Sequence, residues 1–172
     1  MYGFQFLSAR FCGEFIAEAE ASNEWSSGQV NDKRLKGGYE PVPTRDIHFE
    51  QIDFKQPFFE MLHEFIAPIA AHHYTGYTMS ARQNLDFIVK YTPDGQAFLR
   101  PHHDASTMTM VVALNRRGID FEGGGTRFVR QNCTVFSPIG GATIHPGRLT
   151  HQHEGLTTTN GTRYIMVTFI DQ

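Results

Sequence analysis

Apolar residues recur at helical spacing near the N-terminus and at every second position later in the chain, so helices are expected first and strands afterwards. Over residues 8–21, Phe11, Phe15, Ile16 and Ala19 are interleaved with Glu14, Glu18 and Glu20, the pattern of an amphipathic helix. Residues 25–38 are polar and rich in Gly, Asn and Lys, which predicts a loop. Helical periodicity resumes over 57–71 through Phe58, Met61, Leu62, Phe65, Ile66 and Ile69, in a helix that Pro68 is expected to kink or end. From residue 84 the pattern alternates and is rich in β-branched and aromatic residues. Strands are predicted at 84–91, 107–114, 126–129, 133–136, 142–144, 149–153 and 163–169, separated by Pro and Gly turns. There is no internal repeat and no dividing linker. The expected architecture is one domain over 1–172, α+β and mainly β: a double-stranded β-helix (jelly roll) over about 84–172, buttressed by N-terminal helices within about 1–80.

Composition narrows the function classes. Fifteen Lys and Arg against eighteen Asp and Glu give a formal charge of -3, so no bulk attraction toward nucleic acid or an anionic membrane is expected. No apolar run approaches the roughly 20 residues that span a bilayer, so no transmembrane segment is predicted, and the N-terminus lacks the order of a signal peptide. The two cysteines, Cys12 and Cys133, make no disulfide framework, and leave one bridge or two free thiols as alternatives.

Candidate chemistry lies in the second half. In His102-x-Asp104, an extended backbone projects the imidazole and carboxylate to one side, with His103 turned away. Further histidines follow at His145, His151 and His153. Two histidines and one carboxylate can occupy one face of an octahedral metal, as in non-haem Fe(II) oxygenases, whereas His145, His151 and His153 together would suit zinc. Alternation alone does not choose between His151 and His153. Arg163 shares a strand face with Ile165, Val167 and Phe169. An inward guanidinium needs an anion, since breaking a buried ion pair costs about 3 to 5 kcal/mol. That anion is either a dicarboxylate ligand or a structural Asp or Glu. Asp120 and Glu122, before three glycines, make either an exposed acidic turn or carboxylates offered to a cationic substrate.

Motifs in order along the whole chain resemble the C-terminal catalytic domain of procollagen lysyl hydroxylases: Arg34-Leu-Lys-Gly-Gly-Tyr-Glu40, Val42-Pro-Thr-Arg-Asp-Ile-His48, Leu99-Arg-Pro-His-His-Asp104 and Glu122-Gly-Gly-Gly125. His145-Pro-Gly-Arg-Leu-Thr-His151, His153-Glu-Gly-Leu156 and Gly161-Thr-Arg-Tyr-Ile-Met166 complete the likeness. The resemblance implies that His102, Asp104 and His153 ligate Fe(II). It makes Arg163, ten residues beyond His153, the anchor of the distal 2-oxoglutarate carboxylate, and places Tyr91 near that co-substrate. It further implies O2 and ascorbate as cofactors and lysine C5 in collagen-like sequence as the substrate. A homodimer in the endoplasmic reticulum lumen is also implied, with glycosyltransferase-type domains preceding this region in long relatives, so that the chain resembles an excised catalytic domain. Val111 stands where the family usually has asparagine, and Thr126 where a cysteine would pair with the position of Cys133. The same metal triad and arginine would also serve a prolyl hydroxylase, and a jelly roll that binds without catalysis is the rival outside enzymes.

Overall fold

The computed structural model describes residues 1–34, 37–76 and 83–171. Of the polar loop expected over 25–38, Leu35 and Lys36 lie outside these residues; the rest is irregular up to residue 30 and then turns within a bridge between Asn31 and Tyr39. The fold is mainly β, a jelly roll with helices packed on one side.

The first helix, α1 (Ala9–Ser22), starts where Ser8 Oγ accepts the Phe11 amide and ends at Asn23 in the left-handed region. Its buried face is Cys12, Phe15 and Ala19, which shares Phe15 and Ala19 with the apolar set read from the sequence and adds Cys12, with Phe11 and Ile16 flanking it. The second helical stretch comprises α2 (Lys55–Met61), a wide π turn (Leu62–Ile66) and α3 (Ala67–His73). Pro68 does not end it. Proline falls in the opening turn of α3, where a missing N–H is tolerated, and the π turn just before it carries the interruption through a bond from the Ala67 amide to the Leu62 carbonyl.

Twelve strands occur among the described residues. The larger sheet runs β1 (Tyr2–Gln5), β9 (Gly141–Pro146), β5 (Met108–Ala113), β12 (Arg163–Asp171), β3 (Gln83–Tyr91) and β2 (Asp46–His48) in spatial order. The smaller sheet is β4 (Leu99–His102), β10 (His153–Gly155), β7 (Thr126–Phe128) and β8 (Cys133–Val135); β6 (Phe121–Gly123) pairs with β11 (Thr158–Gly161). The periodicity did not indicate β1 and β2, which are too short to carry an alternating signature and take edge positions at either side of the large sheet.

The expected strand at 149–153 is a correction. Leu149 is 85% exposed with φ 66°, the Thr150 amide bonds the Arg148 carbonyl at 2.8 Å, and β10 begins only at His153. A tight turn has taken up backbone groups that a strand would need for pairing.

Both faces of the large sheet are covered. In β3 and β12 one set of alternating residues, including Ile88, Met166 and Ile170, joins Phe15, Phe49, Phe58 and Leu62 in the core beneath the helices. The other set, Phe87, Val89, Tyr91, Ile165 and Val167, faces inward between the sheets. On the helix side, Glu20 of α1 is tied to the sheet by Lys90 Nζ and the Tyr164 hydroxyl, both at 2.7 Å. Cys12 and Cys133 are both free thiols, which settles the alternative left open by composition.

Candidate functional site

Strand pairing assembles the site. In the antiparallel pair of β10 and β4, His153 stands directly opposite His102, and Asp104 follows two residues beyond the end of β4. One ligand atom from each of His102, Asp104 and His153 lies within 4.8 Å of the others, the one grouping of this kind among the described residues. His102 Nε2 is 3.3 Å and His153 Nε2 3.7 Å from Asp104 Oδ1.

The orientation of each donor is fixed from behind. His102 Nδ1 donates to the Arg100 carbonyl at 2.8 Å, and His153 Nδ1 to the His151 carbonyl at 2.9 Å, so both Nε2 lone pairs face the centre. Asp104 Oδ2 accepts a 2.6 Å bond from Thr109 Oγ1, which is itself paired with Ser106 Oγ at 2.7 Å, leaving Oδ1 for the centre. Burial holds the His153 pKa below its ordinary value. Burial works to raise Asp104, but the neighbouring imidazoles and Thr109 outweigh it and keep the carboxyl below its usual range. Burial likewise opposes charge on His102, yet contact with Asp104 raises its pKa.

The three donors line a cavity of about 320 Å³ between the sheets. Arg163, the first residue of β12, lines the same cavity and is 6% exposed. Its Nη1 donates to the Gly125 carbonyl at 3.3 Å and its guanidinium lies 5.3 Å over the Tyr91 ring. Among the described residues no carboxylate pairs with it, so the structural Asp or Glu considered from the sequence is not there; burial lowers its pKa. A buried guanidinium whose partners are a carbonyl and a phenol ring has the charge to receive an anion. Burial pushes Tyr91 up to about 12, which keeps it a phenol able to donate.

The rival histidines lie elsewhere. His151 sits in the turn before β10, with Nδ1 on Thr150 Oγ1, and its ring stacks on His145 at 5.7 Å. His145 is wholly buried, packed edge-on to His153, and held neutral by burial that pushes its pKa down to about 4. His103 is exposed at the cavity wall. Asp120 and Glu122 are exposed and outside the cavity lining; Asp120 accepts the Arg116 amide at 2.6 Å as part of a turn. Sequence reasoning missed Thr109 as the group behind Asp104. Its one signal was position, since Thr109 lies opposite His145 on the inward face of β5.

The model of the 2OG-Fe(II) oxygenase superfamily matches residues 77–172. The chain belongs to this superfamily. It is 50% identical over 172 residues to the rat multifunctional procollagen lysine hydroxylase and glycosyltransferase LH3, covering 99% of this chain and 23% of that protein. It is 51% identical over 173 residues to the Drosophila melanogaster procollagen-lysine,2-oxoglutarate 5-dioxygenase, again covering 99% of this chain but 24% of the relative. The chain thus spans about a quarter of the length of these relatives. Among solved structures, a Pseudomonas putida prolyl-4-hydroxylase superposes with a TM-score of 0.70 at 13% identity, covering 99% of this chain and 91% of the other. A Trichoplax adhaerens prolyl hydroxylase gives 0.69 at 13% identity, covering 99% and 82%. At such identities the likeness is one of fold.

Proposed function

We propose that residues 1–172 act as one catalytic domain that hydroxylates lysine C5 in collagen-like sequence, coupled to oxidative decarboxylation of 2-oxoglutarate to succinate and carbon dioxide. His102, Asp104 and His153 would hold Fe(II). The donor set fits that metal: two imidazoles and one carboxylate converge from one side, which leaves the cavity side for other ligands. Bound there, Fe(II) supplies oxygen activation with 2-oxoglutarate as the reductant.

The observation that carries the reading is the unpaired guanidinium of Arg163 in the triad's cavity. It fixes a distal carboxylate, Tyr91 offers a hydroxyl beside it, and the inward apolar set of Phe87, Val89, Ile165 and Val167 excludes water. The lysine assignment is supported by identity of about one half across 99% of the chain to procollagen-lysine dioxygenases. The resemblance extends the proposal to ascorbate as the reductant that maintains the iron, to a homodimer, and to the endoplasmic reticulum lumen.

The test is anaerobic reconstitution with Fe(II), then oxygen and 2-oxoglutarate with and without a Gly-X-Lys peptide, following succinate and peptide mass. One added oxygen on lysine is the expected result. Oxygen on proline would redirect the substrate, and no succinate from folded, iron-loaded protein would overturn the reading.

A further inference from the structure

Behind Arg163 lies a second chamber of about 40 Å³, walled by Val111, Thr126, Ile165 and Arg163, which it shares with the metal cavity, and also lined by His145, Thr143 and Ser137. The His145 ring is wholly buried with no ion-pair partner among the described residues, a setting that a neutral ring suits; its Nδ1 lies 2.9 Å from the Pro146 carbonyl, which can only accept, so Nδ1 carries the proton and Nε2 presents a lone pair. That Nε2 is buried and has no hydrogen-bond partner among the described residues. An unsatisfied buried acceptor is destabilising, and the ring is wholly buried against His153.

A lone pair and a carboxylate repel, so Nε2 does not meet the distal carboxylate of 2-oxoglutarate directly. A water molecule resolves this by donating one hydrogen to each. The chamber is large enough for one or two waters, each needing about 10–15 Å³ and two to four polar partners. The paired hydroxyls of Ser137 and Thr143, 3.2 Å apart, supply a further partner. We propose that the chamber holds a bridging water between His145 Nε2 and the carboxylate fixed by Arg163, which makes His145 a positioning residue for the dicarboxylate co-substrate. The inference rests on the 2-oxoglutarate reading above.

The test is calorimetric titration of 2-oxoglutarate into anaerobic, Mn(II)-loaded protein, which binds without turning over. His145→Phe removes the acceptor and should weaken 2-oxoglutarate about tenfold, the size of one well-formed hydrogen bond, with Mn(II) affinity unchanged. His145→Gln returns an acceptor oxygen and should recover affinity to within about threefold of wild type. Equal binding by wild type and His145→Phe overturns the proposal, as does equal loss in both variants, which would signal packing alone. Wild-type protein that binds Mn(II) but not 2-oxoglutarate sinks the co-substrate reading instead. Should His145→Phe fail to fold, a high-resolution structure of the wild-type Mn(II) complex with 2-oxoglutarate decides. A water within hydrogen-bond distance of both Nε2 and the distal carboxylate is expected, and a dry chamber or direct contact overturns the idea.

Discussion

Arg163 and Tyr91 stand directly opposite each other in the pairing of β12 with β3, and the guanidinium lies 5.3 Å over the phenol ring. The ring gives the cation a partner without neutralising it, so the charge stays available to a ligand.

Replacing this arginine should therefore have opposite effects with and without ligand. Arg163→Met is expected to weaken 2-oxoglutarate by at least about thirtyfold, the loss of one buried charge pair. In ligand-free protein the same change removes a buried charge that has no counter-ion among the described residues, so stability should hold or rise by up to about 2 kcal/mol. Chemical denaturation with and without 2-oxoglutarate measures both; a marked loss of ligand-free stability would contradict the assignment.

His102→Ala, Asp104→Ala and His153→Ala should each abolish iron-dependent succinate formation while circular dichroism stays native. Thr109→Val tests the support behind them. Without its 2.6 Å bond, Asp104 Oδ2 is free to turn, and Fe(II) affinity is expected to fall about 10- to 100-fold. Anaerobic metal competition reads this out.

Gly124 has φ +63°, and a Cβ there would meet Arg163 Cδ and Phe121 Cε2 at 2.9 Å each. Gly124→Ala should destabilise the fold by about 1–3 kcal/mol. It should also raise the 2-oxoglutarate KM more than it affects metal affinity, because the clash falls on the arginine and not on the triad. Equal effects on both ligands would argue against this.

Burial acts to raise the Glu20 pKa, but its bonds to Lys90 and Tyr164 prevail and hold it below the ordinary carboxylate value. Its stabilisation is therefore present at neutral pH and lost as the pH falls through the lowered folded-state value. Glu20→Gln should be less stable than wild type at pH 7 by up to about 1 kcal/mol, a figure reduced by solvent screening, and the gap should close below about pH 4. Urea midpoints across that range test it.

Local pattern determined much of this protein. The face of α1 around Phe15 and Ala19, the projection of His102 with Asp104, and the inward direction of Arg163 all follow from periods of 3.6 and 2 that neighbouring residues impose on one another. Tertiary structure decided what these periods do not encode. Alternation left His151 and His153 equivalent and the family resemblance pointed to His153; a turn at Leu149 and the pairing of His153 with His102, 51 positions earlier, bring His153 beside Asp104. The docking of β1 and β2 at the sheet edges, the bond from Thr109 to Asp104, and the chamber behind Arg163 are likewise products of strand register. Register is fixed by burying whole faces against distant segments, a free energy spread over the core and carried by no single stretch of sequence.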